Sequence, residues 1–150
     1  MQKMQKLFFL LIVSLIFIAC EPTRRAAPPL PPGVERGQTW EEASDFGYEE
    51  PVYITPEYVA YALKGWRKFR LAIHKTYRSD VCDNNPESAT VRYVISGTGE
   101  ILNIHPITTL ENKCLDELRE TFKSFEFFPA EHHDEPVNMM MAITFTRARI

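Results

Sequence analysis

The sequence predicts an α+β fold, a small (β)αββαβ domain in which two helices pack on a three-stranded antiparallel sheet. Two stretches, beginning near residues 55 and 108, carry apolar residues at helical spacing. Residues 90–96 and 137–146 each alternate an apolar set of residues with a second set, as strands with one buried face do, and residues 101–107 follow a glycine-containing turn. An apolar leader and a proline-rich linker precede them, so the chain divides into residues 1–19, 20–50 and 51–150.

The first predicted helix follows a short strand at residues 52–54. Thr55, Pro56 and Glu57 supply a capping hydroxyl, a proline for the first helical position and an acid for the first turn. We interpret the basic residues of this helix as solvated surface; the alternative is a face that recognises an acidic partner or lipid headgroups. The apolar face comprises Ala62, Trp66, Phe69, Ile73 and Tyr77.

The next elements are a β-hairpin, a second helix and a last strand. Residues 90–96 alternate, a glycine-containing turn follows, and residues 101–107 run back as the second strand. Pro106 indicates that this second strand frays or lies near an edge. Thr108 and Glu111 have capping-box spacing for the second helix. The apolar positions of that helix are Cys114, Leu115, Leu118 and Phe122. The last strand is predicted to run from Val137 to Thr146.

The N-terminus has the build of a secretory signal. Lys3 and Lys6 precede an apolar run from Leu7 to Ala19, which at about 1.5 Å per residue is short of the roughly 30 Å hydrocarbon core. A membrane span is therefore the weaker interpretation. The run ends at Cys20.

The residues before Cys20, Phe17-Ile18-Ala19, resemble the lipobox of bacterial lipoproteins, although that family prefers leucine where Phe17 stands. The resemblance implies that Cys20 is diacylated and anchors the chain to a membrane. Glu21, which is not aspartate, implies the outer membrane, with the domain facing the periplasm. The alternative is an ordinary secretion signal with a chance cysteine after it.

The two remaining cysteines, Cys82 and Cys114, are expected to form a disulfide in an exported chain. Two unpaired buried thiols are the alternative. The proline-rich part of the linker is expected to be a semi-rigid spacer. We expect the acidic, aromatic residues 38–50 either to lean loosely on the domain or to dock onto the basic face of the first helix.

Residues 91–145 resemble the C-terminal domain of TonB, and more closely the related AgmX/PglI-type domain. The motifs that carry the resemblance are Gly99-Glu100-Ile101 with Ile104, Thr108-Thr109-Leu110, Cys114-Leu115-Asp116, Phe122 to Ala130, and Pro136-Val137 with Ile143-Thr144-Phe145. That family's first-helix cysteine would fall near Thr76. The resemblance implies a domain that pairs strands with a partner, without the membrane helix through which TonB itself transduces energy.

Little in the sequence indicates chemistry. The cluster Glu131-His132-His133-Asp134-Glu135 is interpreted as a solvated hairpin loop rather than a metal site, and His105 as structural. We find no arrangement of catalytic residues and expect neither enzymatic activity nor a cofactor or small-molecule substrate. The net charge of −3 argues against nucleic-acid binding.

The predicted function is therefore a non-catalytic adaptor, held at the membrane by its lipid anchor, that binds envelope proteins by strand pairing. The alternative is a structural component of a multiprotein envelope machine for motility or export, and an enzyme of unrecognised type comes third. The candidate partner-binding residues all lie on the last strand: Val137, Asn138, Met140, Ala142, Thr144 and Thr146.

Overall fold

The computed structural model describes residues 24–147, so the predicted leader and Cys20 lie outside it. The two main helices are α1 (Trp66–Tyr77) and α2 (Asn112–Lys123), and short 3-10 turns lie at Glu41–Phe46 and Asp80–Cys82. The strands are β1 (Val52–Tyr53), β2 (Tyr61–Ala62), β3 (Ser88–Ile95), β4 (Ile101–Pro106), β5 (Phe127–Phe128), β6 (Ala130–His132) and β7 (Glu135–Thr146).

The main sheet has five strands rather than the predicted three. Its order is β1-β7-β3-β4, and β6 forms a hairpin with the start of β7. The antiparallel ladder between β3 and β7 joins residues 88–95 to residues 139–146, whereas β1 pairs in parallel with residues 138–139. β2 and β5 form a separate two-stranded sheet. The predicted number was wrong because strands of two or three residues are too short to show alternation.

The β3–β4 turn lies where the sequence predicts it and requires Gly99. This residue has φ +86°, and a Cβ at this position would lie 2.0 Å from the carbonyl oxygen of Phe127. The Phe127 N–H in turn donates to the Gly99 carbonyl at 2.9 Å. Any side chain would therefore be strained and would collide with β5.

Both helices pack on one face of the main sheet, which we call the inner face. Phe69 of α1, Phe122 of α2 and Tyr93 of β3 meet there, with ring centroids 5.2–5.7 Å apart. All three are buried, as are Ile73, Tyr77 and the predicted apolar positions of α2. Because each large side chain buried contributes about 1.5–3 kcal/mol, this face holds most of the stabilising burial.

The predicted disulfide is confirmed: Cys82 and Cys114 are joined, with a Cα–Cα distance of 4.8 Å. It ties the turn that follows α1 to the first turn of α2. With 32 residues of sequence separation, such a bond contributes about 4 kcal/mol in the chain-entropy model. At the position where the resembling family has its first-helix cysteine, Thr76 instead hydrogen-bonds to Thr121 of α2, with 2.8 Å between the hydroxyls.

The predicted start of the first helix was wrong, because α1 begins at Trp66 and not near residue 55. The Thr55 hydroxyl does not cap a helix; it donates to the Glu35 carbonyl and accepts from the Gln38 N–H. Ala62 lies in β2, opposite Phe127. The segment before α1 therefore pairs with the linker and with β5, and these tertiary contacts override its helical signals.

The predicted capping box before α2 was also wrong. The Thr108 hydroxyl accepts a hydrogen bond from the Thr90 N–H at 3.1 Å, at the end of the hairpin. The N-cap residue Glu111 makes no side-chain capping bond, and its own N–H donates to Asn85 Oδ1 at 2.8 Å. The Thr108 hydroxyl and the Glu111 N–H, two of the groups that the motif would use, are thus bonded to other parts of the chain.

The other side of the sheet, the outer face, is covered at one end by residues 38–50, which we call the acidic segment. Trp40 packs on Val52 of β1 and Val94 of β3, and Met140 lies against the same cluster. The acidic segment therefore docks on the sheet and not on the basic face of α1. Its aromatic residues supply the contact, in agreement with the expectation that this segment leans on the domain.

The described part of the proline-rich linker also lies against the domain. Ala26 forms a β-bridge with Tyr58, and Arg24 contacts Glu131 at 3.0 Å. The Arg36 guanidinium donates to three carbonyls, those of Ala27, Pro28 and Pro56. From residue 24 onward the linker is part of the domain surface and does not form the expected spacer.

Candidate binding cleft

A cleft of about 560 Å³ lies beside β7, between the sheet and the N-terminal half of α1. Its floor is formed by inward-facing residues of the sheet, Tyr93 and Met141 among them. Trp66 and Phe69 of α1 line it on the helix side, and Ile54, which follows β1, also lines it. The cleft thus gives access to the apolar inner face at the margin of the main sheet.

The edge of β7 above this cleft is open. On the side of β7 away from β3, β1 pairs only with Asn138 and Met139, and no described strand pairs with residues 140–146. The Arg147 N–H donates to the Glu87 carbonyl at 2.9 Å, which extends the β3 ladder by one residue. Since the hydrogen-bonding direction alternates along an antiparallel strand, the outward-directed main-chain groups beyond β1 are those of residues 142, 144 and 146.

The structure divides the six predicted partner-binding residues into two groups. Val137 pairs with β6, while Asn138 pairs with β1 and is buried, its side chain bonded to the Gly97 N–H and to Glu50. The other four lie on the open stretch of β7: Met140, Ala142, Thr144 and Thr146.

The four residues of the second group differ in how exposed their side chains are. Ala142 and Thr144 have exposed side chains, whereas Met140 packs under the acidic segment. The Thr146 carbonyl lies 3.4 Å from Nδ1 of His74 on α1. The residues best presented for pairing are therefore Ala142 and Thr144.

The charges around the cleft are positive. Arg36 of the linker and Arg70 of α1 line it, and none of the acidic residues between 24 and 147 does. Arg70 is exposed, and Ile54 is 41% exposed at the rim. An extended ligand with an apolar side chain directed into the cleft and a carboxylate at its rim matches this lining.

Sequence reasoning placed Trp66 and Phe69 on the apolar face of the first helix but missed the part of the cleft lining that comes from Leu30, Arg36 and Ile54. Leu30, Arg36 and Ile54 belong to no periodic pattern of apolar residues, and Leu30 and Arg36 lie in the segment predicted to be a spacer. Their contribution depends on the linker folding back across the domain, which no local pattern indicates.

His105, which we interpret from the sequence as structural, lies on the outer face beside the acidic segment. Its Nε2 is 2.7 Å from the Tyr48 hydroxyl, and the rings of Trp40 and Phe46 lie 5.6 and 4.7 Å away. Burial lowers the pKa of His105, and the nearby charges of Arg119 and Arg92 lower it further. Burial also raises the pKa of Tyr48 to about 12. These effects favour the neutral imidazole, which links the acidic segment to the sheet through its hydrogen bond with Tyr48.

Comparisons of the chain with protein-family models, with curated proteins and with solved structures find no match. Within residues 24–147, the helices are too short or too polar to cross a bilayer.

Proposed function

We propose that this protein is a non-catalytic adaptor that captures an extended segment of an envelope protein by adding it as a strand to β7. The observation that carries the proposal is the open edge at Ala142 and Thr144 directly above an apolar cleft. Main-chain hydrogen bonds at the edge supply affinity in this mode of recognition, and the pocket for an alternate side chain supplies specificity. The resemblance to TonB C-terminal domains favours the same mode.

The partner segment we propose is extended, apolar at one position and acidic next to it. The apolar side chain enters the cleft between Trp66 and Ile54, and the acidic group lies near Arg70. A partner with these properties leaves the disulfide and the inner-face core unchanged, because the edge is already formed.

The test is site-specific photo-crosslinking in native envelopes, with the photoreactive residue at Thr144. We expect a defined adduct whose crosslinked peptide contains an apolar and an acidic residue. Ala142→Pro should abolish the adduct, because proline removes an outward N–H that the β3 ladder does not use. Ala142→Ser, which keeps the N–H, should retain it.

A second variant keeps this test informative where Ala142→Pro lowers stability. Ile54→Asp changes the exposed rim of the cleft without touching the strand, and it should weaken capture at least tenfold in binding to a synthetic copy of the crosslinked peptide. A photoreactive residue at Glu120, an exposed position on α2, serves as the negative control. Equal adducts at both positions, or capture by Ala142→Pro equal to that of Ala142→Ser, would overturn the proposal.

We further propose that Cys20 is lipidated and holds the chain at the outer membrane on the periplasmic side. The signal-like leader before Cys20 supports an exported chain, and the Cys82–Cys114 disulfide is typical of an oxidising compartment. Metabolic labelling with a palmitate analogue should mark the wild type and not Cys20→Ala. Equal labelling of both, or release of the protein from membranes without detergent, would contradict the anchor.

The second candidate, a structural part of an envelope assembly, is favoured by a different surface. Leu71 is 59% exposed on α1, within a groove that Arg67 and Arg78 also line. An adaptor with one partner leaves this groove exposed, whereas a stoichiometric assembly covers it. Leu71→Glu should therefore release the protein from a large complex in native-gel analysis only if the assembly role is correct.

A further inference from the structure

The hairpin turn between β6 and β7 has geometry that its sequence alone does not suggest. His133 and Asp134, its two central residues, have φ of 52° and 62°, a conformation in which both backbones are left-handed. This turn carries the His132 and His133 rings on the same side, with centroids 4.2 Å apart. Two neighbouring imidazoles thus face one region, although adjacent residues of an extended strand point apart.

A third group reaches this region from a distant part of the chain. The Glu57 carboxylate accepts the His133 N–H through Oε2 at 3.1 Å. Its other oxygen, Oε1, lies 3.6 Å from Nδ1 of His133 and 3.9 Å from Nδ1 of His132. One ligand atom from each residue lies within 4.8 Å of the other two.

His132 is the observation that points to a ligand. Its side chain is nine-tenths buried, and Nδ1 is buried without a hydrogen-bond partner among the residues that the structure describes. A buried polar atom with no partner is costly and calls for an explanation. The ring is fixed by Tyr53, whose centroid is 4.9 Å away, and by Gly37, where a Cβ would lie 2.8 Å from Nε2. Nδ1 is therefore the nitrogen directed at the Glu57 carboxylate.

We propose that His132, His133 and Glu57 form a binding site for a divalent transition metal ion, of which Zn²⁺ is the representative. Two imidazoles and one carboxylate are a ligand set that zinc and its neighbours accept. In a tetrahedral site, metal–ligand bonds of about 2.0–2.2 Å place the ligand atoms roughly 3.3 Å apart. The three ligand atoms here lie within 4.8 Å of one another, so each separation has to shorten by no more than about 1.5 Å.

His133 and Glu57, the two more exposed ligands, can make that movement. The side chains of His133 and Glu57 are 81% and 38% exposed, whereas His132 is fixed. With three protein ligands, the fourth position of the ion is available to water. The ion would fasten the β6–β7 turn to the segment that also contributes Thr55 and Pro56 to the cleft, but the inference does not depend on the function of the cleft.

The experiment is a calorimetric titration of the untagged full chain with ZnCl₂, after treatment with a chelator and its removal. We expect one ion per chain, and at least tenfold weaker binding in Glu57→Gln and His133→Ala. Glu57→Gln retains an oxygen that accepts the His133 N–H, and His133 is an exposed turn residue, so both variants should fold. Circular dichroism checks that they do.

Two matched controls test whether the effect belongs to these residues. Glu135→Gln removes an acid next to the same turn, and His74→Ala removes a histidine on α1; both should bind zinc as the wild type does. The visible absorption of bound Co²⁺ provides a second readout, which should disappear in His133→Ala and persist in the controls. Absence of saturable binding, or equal losses in the controls and in the ligand variants, would overturn the site.

Discussion

The two faces of the main sheet are covered in different ways. On the inner face, two regular helices bury a continuous core in which Phe69, Tyr93 and Phe122 meet. On the outer face, a short irregular segment covers one end through Trp40 and Ala43, which cluster with Val52 and Val94 of the sheet, and it leaves Thr144 exposed. The inner face therefore holds most of the buried core, while the outer face holds a docked segment that we expect to be released separately.

The largest effect is expected from Phe69→Ala on the inner face. This ring is fully buried and has five aromatic neighbours at 5.3–5.7 Å, so truncation leaves a large cavity. The free energy of unfolding should fall by about 3–5 kcal/mol in urea denaturation. Leu71→Ala, on the exposed side of the same helix, is the control and should change it by less than about 0.5 kcal/mol. A loss near 1 kcal/mol for Phe69→Ala would mean that the inner face is not the dominant core.

A smaller effect is expected from Trp40→Ala on the outer face. Its cluster contains only four buried residues, so the free energy of unfolding should fall by about 2 kcal/mol, mainly through lost burial. The acidic segment should become cleavable by protease while the remainder of the domain stays resistant. Glu41→Ala, an exposed neighbour in the segment, should leave the cleavage pattern unchanged. Simultaneous digestion of segment and domain would show that the two faces are not separable.

The smallest effect is expected in the pH dependence of the free energy of unfolding, through His105 on the outer face. Because the native pKa of His105 is lowered, the neutral form is favoured in the folded state. Its contribution to stability is therefore complete above the ordinary pKa of about 6.5 and is lost as the pH falls through the lower native pKa. Urea denaturation at pH 7.5 and at pH 5 should show a smaller pH-dependent loss in His105→Gln than in the wild type. Tyr48→Phe removes the hydrogen bond but leaves the titrating group, so it should retain a pH dependence. Identical pH profiles for wild type and His105→Gln would contradict the assignment.

The inner face could be predicted from the sequence because its signals are local. Phe69, Ile73 and Tyr77 recur at helical spacing, and β3 and β7 alternate over eight residues or more. The pairing of Cys82 with Cys114 followed from counting cysteines in a chain expected to be exported. Each of these inferences needed only the chemistry of residues close to one another or of a single residue type.

The outer face and the sites could be predicted only in part. Ala142 and Thr144 were among the six partner-binding residues predicted on the last strand, but part of the cleft lining comes from a linker with no periodicity. The participation of Glu57 beside His132 and His133 depends on the β-bridge between Tyr58 and Glu131, which joins segments more than 70 residues apart. Such contacts are properties of the folded chain, since no pattern within a short window encodes them.

The contact of Arg24 with Glu131 and Asp134 has a consequence for the geometry of an anchored molecule. If acyl chains are attached at Cys20, only four peptide units separate the bilayer surface from a residue already fastened to the domain. Fully extended, they reach at most about 14 Å. The β6–β7 turn, which Arg24 contacts, would then lie close to the lipid headgroups.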